Sequence, residues 1–169
     1  MNLRRVLGIV VILMAVALVW PSQVGAFETR TGNNIRVGKD EVVDGSLAVG
    51  GENILIEGRV EGDLICAGRS VIVRGNVVGD VICAGQTVEV SGLVDGDVRL
   101  VGQIVDMGGE VRRNATVFAQ RLSADEESRI RGELLTGASD VDLRGRIDRD
   151  ILGWAVTTNL WGEIEGDVQ

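Results

Sequence analysis

The sequence predicts an all-β, right-handed parallel β-helix, a β-solenoid of about seven coils. Three observations lead there. A Gly-x-(Val/Ile)-x-Gly-Asp segment recurs, the recurrence step is 17 residues, and apolar residues alternate inside each unit. The segment stands at Gly58–Asp63, Gly75–Asp80 and Gly92–Asp97. It returns in weaker form at Gly109–Asn114, Gly145–Asp150 and Gly162–Asp167. Its last position runs Ser46, Asp63, Asp80, Asp97, Asn114, Glu133, Asp150, Asp167. Every step is 17 except one of 19, which places a two-residue insertion near Asp125-Glu126-Glu127.

Five apolar columns follow from this register. They begin at Leu47, Val49, Ile54, Ile56 and Val43 and repeat through the chain, for example as Leu64, Cys66, Val71, Val73 and Val60. A period of two within each unit means strand, and Val and Ile suit a pleated surface. Small residues at Gly51, Gly68, Gly85, Gly102, Ala119, Ala138 and Ala155 mark one turn, and Gly58, Gly75 and Gly92 mark another. A 17-residue unit is too short for a strand, a crossover helix and a return. Its odd length would flip the buried face of simple hairpins in alternate units. A coil of three short strands, stacked in parallel register, keeps every column on one face. Parallel spacing of about 4.8 Å gives seven coils a length of roughly 34 Å, and the bias of parallel crossovers gives right-handed winding. A lone coil cannot offset the entropy of ordering 17 residues, so the stack must form as a unit.

The chain divides into residues 1–26, a lead-in and N-terminal cap at 27–45, and the solenoid at 46–169. Residues 1–26 read as a hydrophobic signal or anchor helix. Arg4 and Arg5 precede an uncharged apolar run from Val6 to Trp20, and Val24-Gly25-Ala26 offers a small-residue cleavage site before Phe27. The run is short for a membrane span, which favours cleavage over a retained anchor. Either outcome places the protein outside the cytoplasm, at the cell envelope. Removing the leader leaves 15 basic against 25 acidic residues, a net charge of −10.

Composition narrows the function. The 169 residues include no His and no Tyr, 3 Trp and 2 Phe, with a formal charge of −8. An acidic chain lacks the basic face that nucleic acid requires. The commonest general base and zinc ligand is missing. At 17 residues per coil there is no room for the loops that wall a polysaccharide-cleaving cleft. No enzyme and no cofactor are therefore expected.

Several residues are candidates for other roles. The acidic column suits a calcium ladder or turn capping, and one carboxylate per coil favours capping of backbone N–H groups. Cys66 and Cys83 share one column in adjacent coils. Their spacing fits a disulfide, but parallel in-register Cβ vectors favour two buried thiols. Gln86, Gln103 and Gln120 form an amide ladder. Leu55, Ile65, Ile72, Ile82, Leu135 and Leu152 are apolar where alternation points to solvent, and the first four mark a lateral patch. Trp154, Leu160, Trp161, Ile164 and Val168 lie in the last coil, where open strands offer unpaired backbone groups to another chain. They are the expected polymer interface, and no capping element is expected after Asp167.

The Gly-x-(Val/Ile)-x-Gly-Asp units and Val-rich coils, over about residues 35–168, resemble the bactofilin family of bacterial polymer-forming cytoskeletal proteins. The resemblance implies a three-sided right-handed β-helix that polymerises end to end without nucleotide. Bactofilins are usually cytoplasmic, whereas this chain carries an export-type leader. The expected function is a non-enzymatic structural protein that assembles with itself into filaments or patches at the envelope. Membrane or cell-wall components are further candidate partners. The alternative is a monomeric cell-surface spacer or adhesin-like rod. Filaments would pellet and a spacer rod would not.

Overall fold

A computed structural model describes residues 27–169, and the expected leader helix lies outside the described residues. The chain winds as a parallel β-solenoid. Each turn holds one long and one short strand. In chain order these are β1 (Phe27–Val37), β2 (Val42–Val43), β3 (Ser46–Ile56), β4 (Arg59–Val60), β5 (Leu64–Val73), β6 (Asn76–Val77), β7 (Val81–Val90) and β8 (Leu93–Val94). They continue as β9 (Val98–Met107), β10 (Glu110–Val111), β11 (Ala115–Ala124), β12 (Arg129–Ile130), β13 (Leu134–Leu143), β14 (Arg146–Ile147), β15 (Ile151–Leu160) and β16 (Glu163–Ile164). The long strands form one eight-stranded sheet and the short ones another, each in strict chain order.

The expected three strands per coil are thus two by hydrogen bonding, yet the coil keeps three sides. The parity of buried residues shows why. In β5, Leu64 and Cys66 point inward, then Val71 and Val73 do, with the switch at Gly68-Arg69-Ser70. The long strand bends round a corner there, where the ladder skips the Arg69–Gln86 pair and resumes at Ser70 on Thr87. Its first half is the first side, its second half the second side, and the short strands the third.

All five columns read from the sequence are core up to the last turn, where Thr158 and Leu160 are exposed. Leu47, Leu64, Val81, Val98, Ala115, Leu134 and Ile151 stack in one line of buried side chains, and Val43, Val60, Val77, Val94, Val111, Ile130 and Ile147 in another. The 17-residue register holds throughout, for example Leu64 on Val81 and Cys83 on Leu100. The insertion falls where expected. Ser128 closes a turn over Asp125-Glu126-Glu127 by donating its N–H and its hydroxyl to the Asp125 carbonyl.

The stack has about eight turns rather than seven. Residues 27–45 form a turn of their own, because β1 pairs with β3 from Phe27 on Ser46 to Val37 on Ile56. Periodicity hid it for two reasons. Glu28 and Arg30 occupy the column positions of Leu47 and Val49, and Gly38-Lys39-Asp40 adds a second two-residue insertion.

Candidate functional site

The features that bear on assembly are the axial hydrogen-bond ladders, the two end faces and the outer surface of the first side. The acidic column is a ladder running along the rod. Asp63 Oδ1 accepts the backbone N–H of Asp80 at 2.9 Å, and Asp80 Oδ1 accepts that of Asp97 at 2.9 Å. Asp97 serves Asn114, Asn114 serves Glu133 and Asp150 serves Asp167. Capping is the role favoured from sequence, but the bond reaches the next turn instead of closing its own. The N–H of Asp97 holds the Asp80 carboxyl below its ordinary value, and Arg99 adds to the effect. Among the described residues, no group of three or more Cys, Asp or Glu is arranged to hold a metal ion.

Cys66 and Cys83 are joined by a disulfide, with Cα atoms 4.5 Å apart. This corrects the expectation of two thiols. In-register neighbours of a parallel ladder already lie within bridging distance, so parallel Cβ vectors do not prevent closure. The glutamine ladder exists in part: Gln86 Nε2 donates to Gln103 Oε1 at 3.3 Å. A second amide pair, Asn53 Nδ2 to Asn34 Oδ1 at 2.8 Å, joins the first two turns.

The two end faces differ in chemistry. At the N-terminal end, Arg30 stands at an inward position and pairs with Glu28 at 2.7 Å and Glu41 at 2.5 Å. Arg30, with the Gly38 N–H behind it, holds the Glu41 carboxyl below its ordinary pKa. Ion pairs therefore lie over that end of the core. At the other end, Leu160, Ile164 and Val168 continue inward apolar columns and are partly or wholly exposed. A cavity of about 320 Å³ opens there, lined by Leu143, Ile151, Gly153, Leu160 and Val168. Trp154 also lines this cavity, whereas Trp161 does not. Both stand in outward columns and project sideways, at 69% and 73% exposure. The five residues expected to form one interface are therefore divided between the end and the flanks.

The expected lateral patch also divides. Ile65 and Ile82 are exposed on the first side. Leu55 and Ile72 sit beyond the corner on the second side, half-buried, in the column of Glu89 and Asp106. The first side carries more apolar residues than the sequence reading named. Its two outward columns contain Ile65, Ile82, Leu135 and Leu152, and Ala67, Ala84, Val101, Phe118 and Trp154. Val101 and Phe118 were legible as column partners of Ala67 and Ala84.

Ion pairs cover the other two sides. On the second, Arg74 meets Glu89 and Arg144 meets Asp142. On the third, Arg112 reaches Asp95 at 2.8 Å and Arg146 reaches Glu163 at 2.7 Å, each one turn away. Exposed pairs of this kind add little stability individually.

No curated protein and no solved structure matches the chain. A family model described as Bactofilin, polymer-forming cytoskeletal, matches residues 35–135. That match spans more than half of the chain and lies within the stacked turns, so the chain belongs to the bactofilins, a family of polymer-forming cytoskeletal structural proteins.

Proposed function

We propose that this protein is a non-enzymatic filament or patch former at the bacterial cell envelope, built by joining rods end to end. The observation that carries the reading is the apolar end face at Leu160, Ile164 and Val168, where the core columns run out into exposed positions. Covering them with another copy removes apolar surface from water and pairs open strand edges. Right-handed winding belongs to the same reading. Export rests on the leader at residues 1–26 and is supported by the Cys66–Cys83 disulfide, which suits an oxidising compartment.

Centrifugation and negative-stain electron microscopy of the purified protein test the assembly. Filaments that pellet are expected, and Leu160→Lys is expected to leave them in the supernatant. A wild-type chain that stays soluble and monomeric at high concentration identifies a spacer rod instead. Fractionation with N-terminal sequencing tests export, with Phe27 expected as the first residue of the mature chain.

A further inference from the structure

The outer surface of the first side has a size pattern along the rod. Toward the N-terminal end its second column is small, with Ala67 and Ala84. These lie with Ile65, Ile82, Val101 and Phe118 around an apolar groove of about 450 Å³. Toward the C-terminal end the same column is bulky. Phe118 and Trp154 lean toward each other across Gly137. A Cβ built on Gly137 would lie 2.9 Å from Phe118 Cδ1 and 2.9 Å from Trp154 Cζ2. The two rings form a ridge spanning three turns, and the alanines form a trough spanning the turns before it.

We propose that this strip is a self-complementary lateral contact, in which two copies pack first side against first side with their rods antiparallel. A two-fold axis between the turns of Val101 and Phe118 brings the ridge of each copy onto the trough of the other. It sets Trp154 against Ala67, Gly137 against Ala84, and Phe118 against Val101. In the other column it sets Leu152 against Ile65 and Leu135 against Ile82. Trp154, the largest side chain of the strip, thus meets Ala67, Phe118 meets the smaller Val101, and the two contacts of the pair are identical, as a two-fold interface requires.

The ridge at Phe118 and Trp154 and the trough at Ala67 and Ala84 select a second copy over a fluid bilayer as the occupant, and charge confines the contact to this strip. At a formal charge of −8, rods repel one another and repel anionic lipid. The strip is the stretch of surface where that repulsion is weakest. Its single charged side chain, Arg99, is already neutralised by Asp80 at 2.9 Å and Asp97 at 3.2 Å. Packing another side would bring rows of ion-paired carboxylates together.

Six turns of two columns cover about 29 Å by 14 Å, or about 400 Å² per copy. That is half of a standard interface, so an isolated pair is weak. Repetition along rods already joined end to end multiplies it. The contact is therefore read most readily on the polymer proposed above, while Ile82 and Leu135, the residues altered in the test, are separate from the end face.

The test uses Ile82→Lys and Leu135→Glu, both on interior turns and both exposed. In the full-length protein, wild-type filaments are expected to be paired. Each single variant should give unpaired filaments, a twofold drop in mass per unit length, with unchanged circular dichroism. The double variant Ile82→Lys/Leu135→Glu places opposite charges against each other only in the antiparallel register and should restore pairing. Single variants that remain paired, or a folded double variant that stays unpaired, overturn the proposal. So does loss of binding to phosphatidylcholine vesicles with mass unchanged, which assigns the strip to a membrane. If no filaments form at all, the end-to-end reading fails and the lateral contact is read by light scattering at millimolar concentration. A dimer that Ile82→Lys splits then supports it, and a monomer overturns it.

Discussion

The Oδ1 atom of Asp80 accepts the backbone N–H of Asp97, the residue one full turn further along the rod, at 2.9 Å. The Gly-Asp dipeptide is therefore an axial fastener, and its 17-residue spacing is the pitch of the coil read out in hydrogen bonds. Asp80→Ala leaves the Asp97 N–H without an acceptor and should cost about 1–2 kcal/mol. Thermal unfolding should show a fall of about 3–8 °C. Asp80→Asn should fall less, because Asn114 fills the same role for Glu133 at 3.0 Å.

Acid should weaken the rod. Asp80, Asp148 and Glu41 are held below their ordinary values, by the Asp97 N–H, by Arg129 and by Arg30 respectively. A carboxyl lowered in the folded state gives stability that is complete above its unfolded value, near pH 4. That stability is lost as pH falls through the folded values. Urea midpoints should hold between pH 6 and 8 and drop between pH 4 and 2. Asp80→Asn should flatten part of that drop.

The disulfide closes a 17-residue separation, so opening it frees one whole turn. Loop-closure entropy for that length is about 3 kcal/mol. The paired variant Cys66→Ser/Cys83→Ser, or reductant, should lower the melting temperature of the mature protein accordingly. Intact mass before and after reduction should differ by the two hydrogens of an open pair.

Much of this was legible because stacking repeats one chemical demand at a fixed interval. Leu64, Val81 and Val98 announce a column since each must fill the space above the last. The first turn was illegible because Glu28 and Arg30 stand where Leu47 and Val49 stand a turn later. An end face has a neighbour on one side only, so the demand for an apolar residue lapses. The lateral strip was half-legible. Alternation reports that Ile65 and Ile72 point outward, but the corner at Gly68 sends them to different sides. A corner changes parity without changing composition. The disulfide depended on Cα atoms 4.5 Å apart, a distance that spacing allows and does not fix.

Glycine is required at one corner and optional on the first side. A Cβ on Gly92 would fall 1.9 Å from the carbonyl oxygen of Gly75, which is backbone and cannot swing away. Gly92→Ala should cost about 3 kcal/mol or more. A Cβ on Gly50 would meet only the Thr31 methyl, at 3.9 Å. Gly50→Ala should be neutral or stabilising by about 0.4–1 kcal/mol, consistent with Ala67 and Ala84 in that column. Denaturant titration of the two variants separates crowding at the corner from a general effect of replacing glycine.

The charged N-terminal face sets a limit on end-to-end growth. A joint between unlike ends that keeps the columns in line presses Val168, the last residue of the Leu47 column, against Glu28, whose ion pair with Arg30 would have to shed water for no new partner. Two C-terminal faces meet with no such cost. Replacing both charges, as Glu28→Leu/Arg30→Leu, extends the Leu47 and Val49 columns by one turn and makes the N-terminal face apolar. Filaments of this variant should be longer than wild type at equal concentration, and the critical concentration read by pelleting should fall. Unchanged length would mean that the pair of Arg30 with Glu28 and Glu41 is no obstacle. In that case the first turn is displaced or covered in the assembled joint.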